Sequence, residues 1–98
     1  MEMEDCIGKE EMKRLIHNDA VVLIDVRNEE EYLELYIPEA INIPLTLLKG
    51  VTSILDKDKM YIATCGKGGG RSSEAAELLA QAGLKSSWLC GGTFGWFK

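Results

Sequence analysis

Met60-Tyr61-Ile62-Ala63-Thr64-Cys65-Gly66-Lys67-Gly68-Gly69-Gly70-Arg71-Ser72, running on into Glu74-Ala75-Ala76-Glu77-Leu78-Leu79, is the stretch that decides the fold. An apolar run that ends at a cysteine, then a glycine-rich loop, then a segment of strong helix formers reads as strand, loop and helix in succession. Gly66, Gly68, Gly69 and Gly70 let the loop backbone turn its N–H groups inward, and the start of the following helix adds positive potential at the same place. A thiol at the base of such a loop sits in an anion cradle. Thiolate is the reactive form of cysteine, and a helix N-terminus and nearby cations favour it. The pattern therefore points to a cysteine that forms covalent intermediates, with Cys65 as the nucleophile.

Outward from this stretch, strands and helices alternate. Downstream, the helix covers residues 72–82 and stops at Gly83, and residues 86–90 return as a strand. Upstream, Ile7-Gly8 is a short strand or turn that leads into an amphipathic helix over 9–17, with Met12, Leu15 and Ile16 on its apolar face. Residues 21–24 are continuously apolar and end at Asp25, as in a strand buried on both faces. Asn28 is placed as an N-cap before Glu29, Glu30 and Glu31, and Tyr32, Leu33 and Tyr36 form the apolar face of that helix before Pro38. Residues 40–43 supply a further short strand, and 45–55 a helix weakened by Gly50 and Thr52. Alternation with continuously apolar strands predicts an α/β fold, a parallel sheet with helices on both faces. Ligand sites in such sheets lie beyond the carboxyl ends of the strands, where Asp25, Cys65 and Cys90 all fall. Trp88, Phe94, Trp96 and Phe97 are read as packing for the last strand and a final helical turn, with an aromatic binding face as the other reading.

Ninety-eight residues suffice for one core, so a single domain over 1–98 is expected. A net charge of −5 disfavours nucleic acid and anionic membrane as partners, which leaves local geometry to draw in any anion. The apolar run at 20–24 is too short to cross a bilayer, and the acidic start Met1-Glu2-Met3-Glu4-Asp5 lacks the basic and apolar regions of a secretion signal. A cytoplasmic protein is the expectation. Cys6, Cys65 and Cys90 have no metal-ligand spacing and His17 stands alone, so no metal is expected and the three cysteines read as reduced thiols.

Four blocks in order resemble the rhodanese family of single-domain sulfurtransferases over almost the whole chain. Asp25-Val26-Arg27 with Glu31-Tyr32 is similar to the family's Asp-x-Arg and Glu-Tyr motif, and residues 37–44, Ile-Pro-Glu-Ala-Ile-Asn-Ile-Pro, to its Ile-Pro-Gly-Ala-x-Asn-Ile-Pro segment. The cysteine loop with Arg71-Ser72 and Gly91-Gly92 followed by Gly95-Trp96 complete the set. The resemblance implies a three-layer sandwich built on a five-stranded, mostly parallel sheet. It implies that Cys65 accepts sulfane sulfur from thiosulfate or a similar small anion, holds it as a persulfide, and passes it to cyanide or to a thiol, on a small molecule or a protein. No cofactor enters this scheme.

On physical grounds Gly66, Lys67, Gly68, Gly69, Gly70 and Arg71 are the candidate substrate-binding residues. The loop amides would steady shifting negative charge, Lys67 adds a rim cation, and the Arg71 guanidinium suits an oxyanion. Asp25 and Arg27 are read as structural, with Asp25 bracing the loop or pairing Arg71 and Arg27 holding a helix end; general acid catalysis is their other reading, and both stay outside the catalytic set. Cys90 is read as a small residue before two glycines, with a resolving thiol for Cys65 as its other reading. Two features depart from the family pattern. Leu35-Tyr36 stands where Gly-His is usual, and five residues rather than four separate Cys65 from Arg71. Cysteine, five residues, arginine and serine is also the signature of cysteine-dependent phosphatases and of some arsenate reductases of related fold. That chemistry is one alternative, and a persulfide carrier or non-catalytic binding domain is another.

Overall fold

In a computed structural model, which describes residues 6–98, β4 (Met60–Thr64) lies at the centre of a wholly parallel five-stranded sheet. The strand order is β1-β5-β4-β2-β3, with β1 at Cys6–Ile7, β2 at Val21–Asp25, β3 at Ile41–Asn42 and β5 at Lys85–Leu89. On one side β4 pairs with β2 from Val21↔Met60 to Asp25↔Thr64, and on the other with β5 from Met60↔Lys85 to Ala63↔Trp88. The crossovers are helical: α1 (Lys9–Leu15), α2 (Glu29–Glu34), α3 (Leu45–Leu48) continued by a 3-10 segment at Lys49–Ile54, and α4 (Gly70–Gln81). A last helix, α5 (Gly92–Trp96), follows β5.

Side chains alternate across a strand, so one sheet serves two cores. Ile24, Tyr61 and Ala63 pack with Leu48, Ala75 and Leu79 under α3 and α4, while Leu23 and Ile62 pack with Met12, Ile37, Ala40 and Leu89 on the other side. Trp88 joins the first core and Trp96 the second, as expected, but Phe94 and Phe97 remain half exposed. Among the described residues no helix is long and apolar enough to cross a membrane.

The expected three-layer α/β architecture is found, with local differences that have physical causes. α4 begins at Gly70, two residues before the expected start, because the Gly69 carbonyl already accepts from the amides of Ser72 and Ser73. The weak helix expected over 45–55 divides into one α turn and the tighter 3-10 segment containing Gly50. In α2 the apolar face is narrower than expected. Tyr32 packs inward and donates its hydroxyl to Ala40 O at 2.9 Å, whereas Leu33 is 63% exposed and Tyr36 stacks on Tyr32 from outside.

The reading of three reduced cysteines is overturned. Cys6 and Cys90 form a disulfide that joins the edge strand β1 to the end of β5, and Cys65 is the free cysteine of the described residues. Strand order explains the pairing, because β1 lies beside β5 with Cys6 opposite Trp88. Cys90 is therefore not a resolving thiol for Cys65, and the argument from a reducing compartment loses its basis.

Candidate active site

Cys65 comes directly after β4 and is 5% exposed. No loop amide donates to the sulfur, which the sequence led us to expect. The thiol faces two acceptors, Gly69 O at 3.2 Å and Ser72 Oγ at 3.3 Å, while Ser72 Oγ donates to Gly69 O at 2.9 Å. Ser72 is a site residue absent from the sequence-based set. Its hydroxyl can turn from the carbonyl to the sulfur once the thiol has lost its proton, so it is a donor held ready for a thiolate. Among the described residues, the N–H groups of residues 66–71 have no protein acceptor. These six donors are not taken up by the protein itself, which leaves the loop with donors to offer an anion.

The loop is backed by the turn that follows β5. Thr93 N donates to Cys65 O at 2.7 Å and Phe94 N to Gly66 O at 3.0 Å. Contact is close enough to exclude any side chain at position 92. A Cβ there would lie 2.5 Å from Cys65 O and 2.6 Å from both Gly66 O and Gly68 N, and Gly92 adopts φ +62°. Gly68, at φ +91°, is excluded from carrying a side chain in the same way by Gly91 N. Loop residues 65–71 with Glu31 and Phe94 enclose a pocket of about 480 Å³. Phe94, read from sequence mainly as packing, lines this pocket. Its ring lies against Gly66 and over the Arg27 guanidinium, 5.8 Å from its centre.

The two loop cations differ in their surroundings. Lys67 is exposed at the rim and has no ion-pair partner among the described residues. Arg71 grips Glu31 through two bonds of 2.8 and 3.2 Å, so the pairing of Arg71 with Asp25 considered from sequence is not formed. Glu31 does two jobs. It closes a capping box with Asn28 at the start of α2 and it anchors Arg71. The Arg71 guanidinium, aided by the Asn28 amide and opposed by desolvation, holds the Glu31 carboxyl below the ordinary value of 4.5. A depressed carboxyl stabilises the fold above its unfolded value, and this contribution is lost as pH falls through the lower folded value. Both partners are about 40% exposed, so solvent screens the pair to roughly 0.2–1 kcal/mol. Urea melts of wild type and Glu31→Gln should differ by that amount at about pH 7 and converge as the pH falls through the lowered Glu31 value.

Asp25 and Arg27 form a buried support beneath the loop. Asp25 is 0% and Arg27 1% exposed, and the carboxylate accepts from Arg27 Nε at 2.9 Å, Nη2 at 2.7 Å and the Arg27 amide at 3.0 Å. Arg27 Nη2 also reaches Leu35 O at the C-terminal end of α2, the helix-end role expected for it. Thr93 Oγ1 donates to Asp25 at 3.4 Å and contacts Thr64 Oγ1 at 3.2 Å, which ties the pair to β4 and to the first turn of α5. Among the described residues no cluster of three or more His, Cys, Asp or Glu could hold a metal ion, and His17 is an exposed surface residue.

A parallel sheet, a cysteine loop at the end of its central strand and a Gly-Gly turn behind that loop agree with the Rhodanese-like domain family, whose model matches residues 8–98. The chain belongs to that family. A relative in Bacillus subtilis, YtwF, provisionally named a sulfurtransferase, is 31% identical over 96 residues, 98% of this chain and 92% of the relative. A sulfurtransferase of Allochromatium vinosum is 32% identical over 87 residues, which is 88% of this chain and 80% of that protein. The crystal structure of a rhodanese-related protein from Thermoplasma volcanium superposes with a TM-score of 0.83 at 34% identity, covering 94% of this chain and 89% of that one. These similarities support sulfurtransferase activity in general for this Rhodanese-like chain.

Proposed function

We propose that this protein transfers sulfane sulfur from thiosulfate, or a small anion like it, through a persulfide on Cys65. The observation that carries the proposal is the juxtaposition of a lone free thiol, among the described residues, with a pocket whose loop offers six backbone donors without protein acceptors. In the first step the Cys65 thiolate attacks the outer sulfur of thiosulfate. A new S–S bond forms, the old one breaks, and sulfite leaves with the bonding pair. In the second step cyanide or a thiolate, free or on a protein, attacks the terminal sulfur, and Cys65 departs as thiolate. The electron count closes without a metal or an organic cofactor.

Each loop residue has a part in this scheme. The amides of residues 66–71 hold the anionic donor and then the persulfide, Lys67 draws small dianions to the rim, and Ser72 donates to the sulfur whenever it is negative. Arg71, held by Glu31, lends positive charge at the loop's end.

The five-residue spacing between Cys65 and Arg71 favours phosphate or arsenate chemistry as a rival, but a leaving alkoxide needs an acid. Asp25 is buried in its pair with Arg27, and Glu31 is held ionised by Arg71. The deciding experiment is mass spectrometry of the protein after incubation with thiosulfate. The expected result is a gain of about 32 Da, one sulfur atom, on the Cys65 peptide. Cyanide should remove it as thiocyanate. A gain that cyanide discharges poorly would make the protein a persulfide carrier. No gain, together with hydrolysis of an aryl phosphate, would overturn the reading.

A further inference from the structure

The Cys6–Cys90 disulfide takes no part in sulfur transfer through Cys65, yet it is fastened to the back of the same loop. We propose that it is a thiol–disulfide exchange site for a dithiol reductant, and that its state sets how firmly the Gly91–Gly92 turn holds the Cys65 loop. Two independent observations carry this. The first is position: both cysteines are partly exposed, and Cys6 lies on a two-residue strand that pairs with β5 at the edge of the described sheet. The second is connection. Cys90 N donates to Ile7 O at 2.9 Å, Gly91 and Gly92 follow with φ of 79° and 62°, and the next amide, that of Thr93, holds the carbonyl of Cys65 itself.

The chemical step balances. One thiolate of the reductant attacks one sulfur of the Cys6–Cys90 bond, and the other sulfur leaves as thiolate. The second thiol of the reductant then resolves the mixed disulfide. The chain gains two electrons and two protons as a pair of thiols, and the reductant becomes a disulfide.

With the bond broken, β1 keeps its two residues of strand pairing with β5, the Cys90 amide and the packing of Ile7, and short edge pairings of this kind open at low cost. The turn then loses its covalent tie to β1 and keeps its backbone bonds and the Thr93 and Phe94 side-chain contacts. The amides of Thr93 and Phe94 loosen their hold on the carbonyls of Cys65 and Gly66, the buried thiol becomes easier to reach, and the loop is less well ordered for an anion. The oxidised protein is the form with the closed cradle.

The test compares the air-oxidised protein with the same protein reduced by dithiothreitol, both under native conditions. Cys65 alkylation by iodoacetamide, followed on its own peptide by mass spectrometry, should be several-fold faster in the reduced form. Hydrogen exchange should show lost protection at Thr93 and Phe94 while Leu23 and Ile62 in the central strands stay protected. A Cys6→Ser, Cys90→Ser double variant should match the reduced wild type. Equal alkylation rates would overturn the proposal. So would three free thiols in the air-oxidised protein, or a loss of protection spread evenly over the sheet, which would make the bond a general brace.

The consequence for catalysis rests on the proposed sulfur transfer and is read separately. The serine variant, used because a dithiol would strip a persulfide, should gain sulfur from thiosulfate several-fold more slowly than the oxidised wild type. Changed alkylation with no sulfur gain in either protein would sustain the exchange site and refute the sulfur-transfer reading. Changed alkylation with equal rates of sulfur gain would refute the link to the cradle.

Discussion

On the proposed mechanism, a Cys65→Ser protein should keep its fold and lose thiocyanate formation from thiosulfate and cyanide by on the order of 10⁴-fold or more. Serine is close in shape to cysteine, and its hydroxyl can donate to the two acceptors that the thiol now faces, Gly69 O and Ser72 Oγ. The core around Ala63, Ala75 and Leu79 is left intact, so the melting temperature should move by only a few degrees. The chemistry does not survive the exchange. An alcohol of ordinary acidity offers almost no anion near neutral pH, and oxygen cannot take up sulfur as a persulfide. Thiocyanate release and the mass of the residue-65 peptide provide the measurement. Activity near the wild-type level would move the nucleophile to another residue and remove the basis of the mechanism.

Arg27→Ala should destabilise the protein by about 3–5 kcal/mol, the cost of leaving a buried charge without its partner. Asp25 would retain only the residue-27 amide and the long contact from Thr93, inside a site to which water has no access. The end of α2 would lose the donor to Leu35 O, and the Phe94 ring would lose the cation on which it rests. A loss of 3 kcal/mol in a domain of this size lowers the melting temperature by about 12 °C or more. Urea and thermal melts would show it. The double variant Asp25→Asn, Arg27→Met should recover much of the loss, because neutral partners owe no desolvation penalty. Independent, additive losses in the two single variants would mean that the pair is not coupled as its geometry implies.

What the sequence reveals and what it conceals follow from the range of the forces involved. β4, the glycine loop and α4 are legible because their causes are local: an apolar run, a cluster of glycines and a row of helix formers. Asn28 is legible as a cap for the same reason, and the structure completes the box with Glu31. The grip of Glu31 on Arg71 is not, since the partners are 40 residues apart and meet only through the folded sheet. Ser72 could have been found. It stands beside Arg71 in the quoted motif, but its contact with the sulfur depends on α4 starting at Gly70, which brings it into the helix's first turn. Leu33 and Tyr36 mislead because α2 has six residues, too few for an apolar period to identify the buried face. The Cys6–Cys90 bond spans 84 residues, and only the strand order reveals that its ends are neighbours.

The absence of a side chain at Gly92 has a consequence for variation among relatives. Two segments of backbone lie in contact there with no adjustable atoms between them, so neither can change width or length by itself. A longer nucleophile loop, or a bulkier turn behind it, requires a matching change in the other. Swapping only residues 66–70 for the loop of a relative would therefore test compatibility with Gly91–Gly92 as much as substrate choice, and the segment that can be exchanged as a unit includes both.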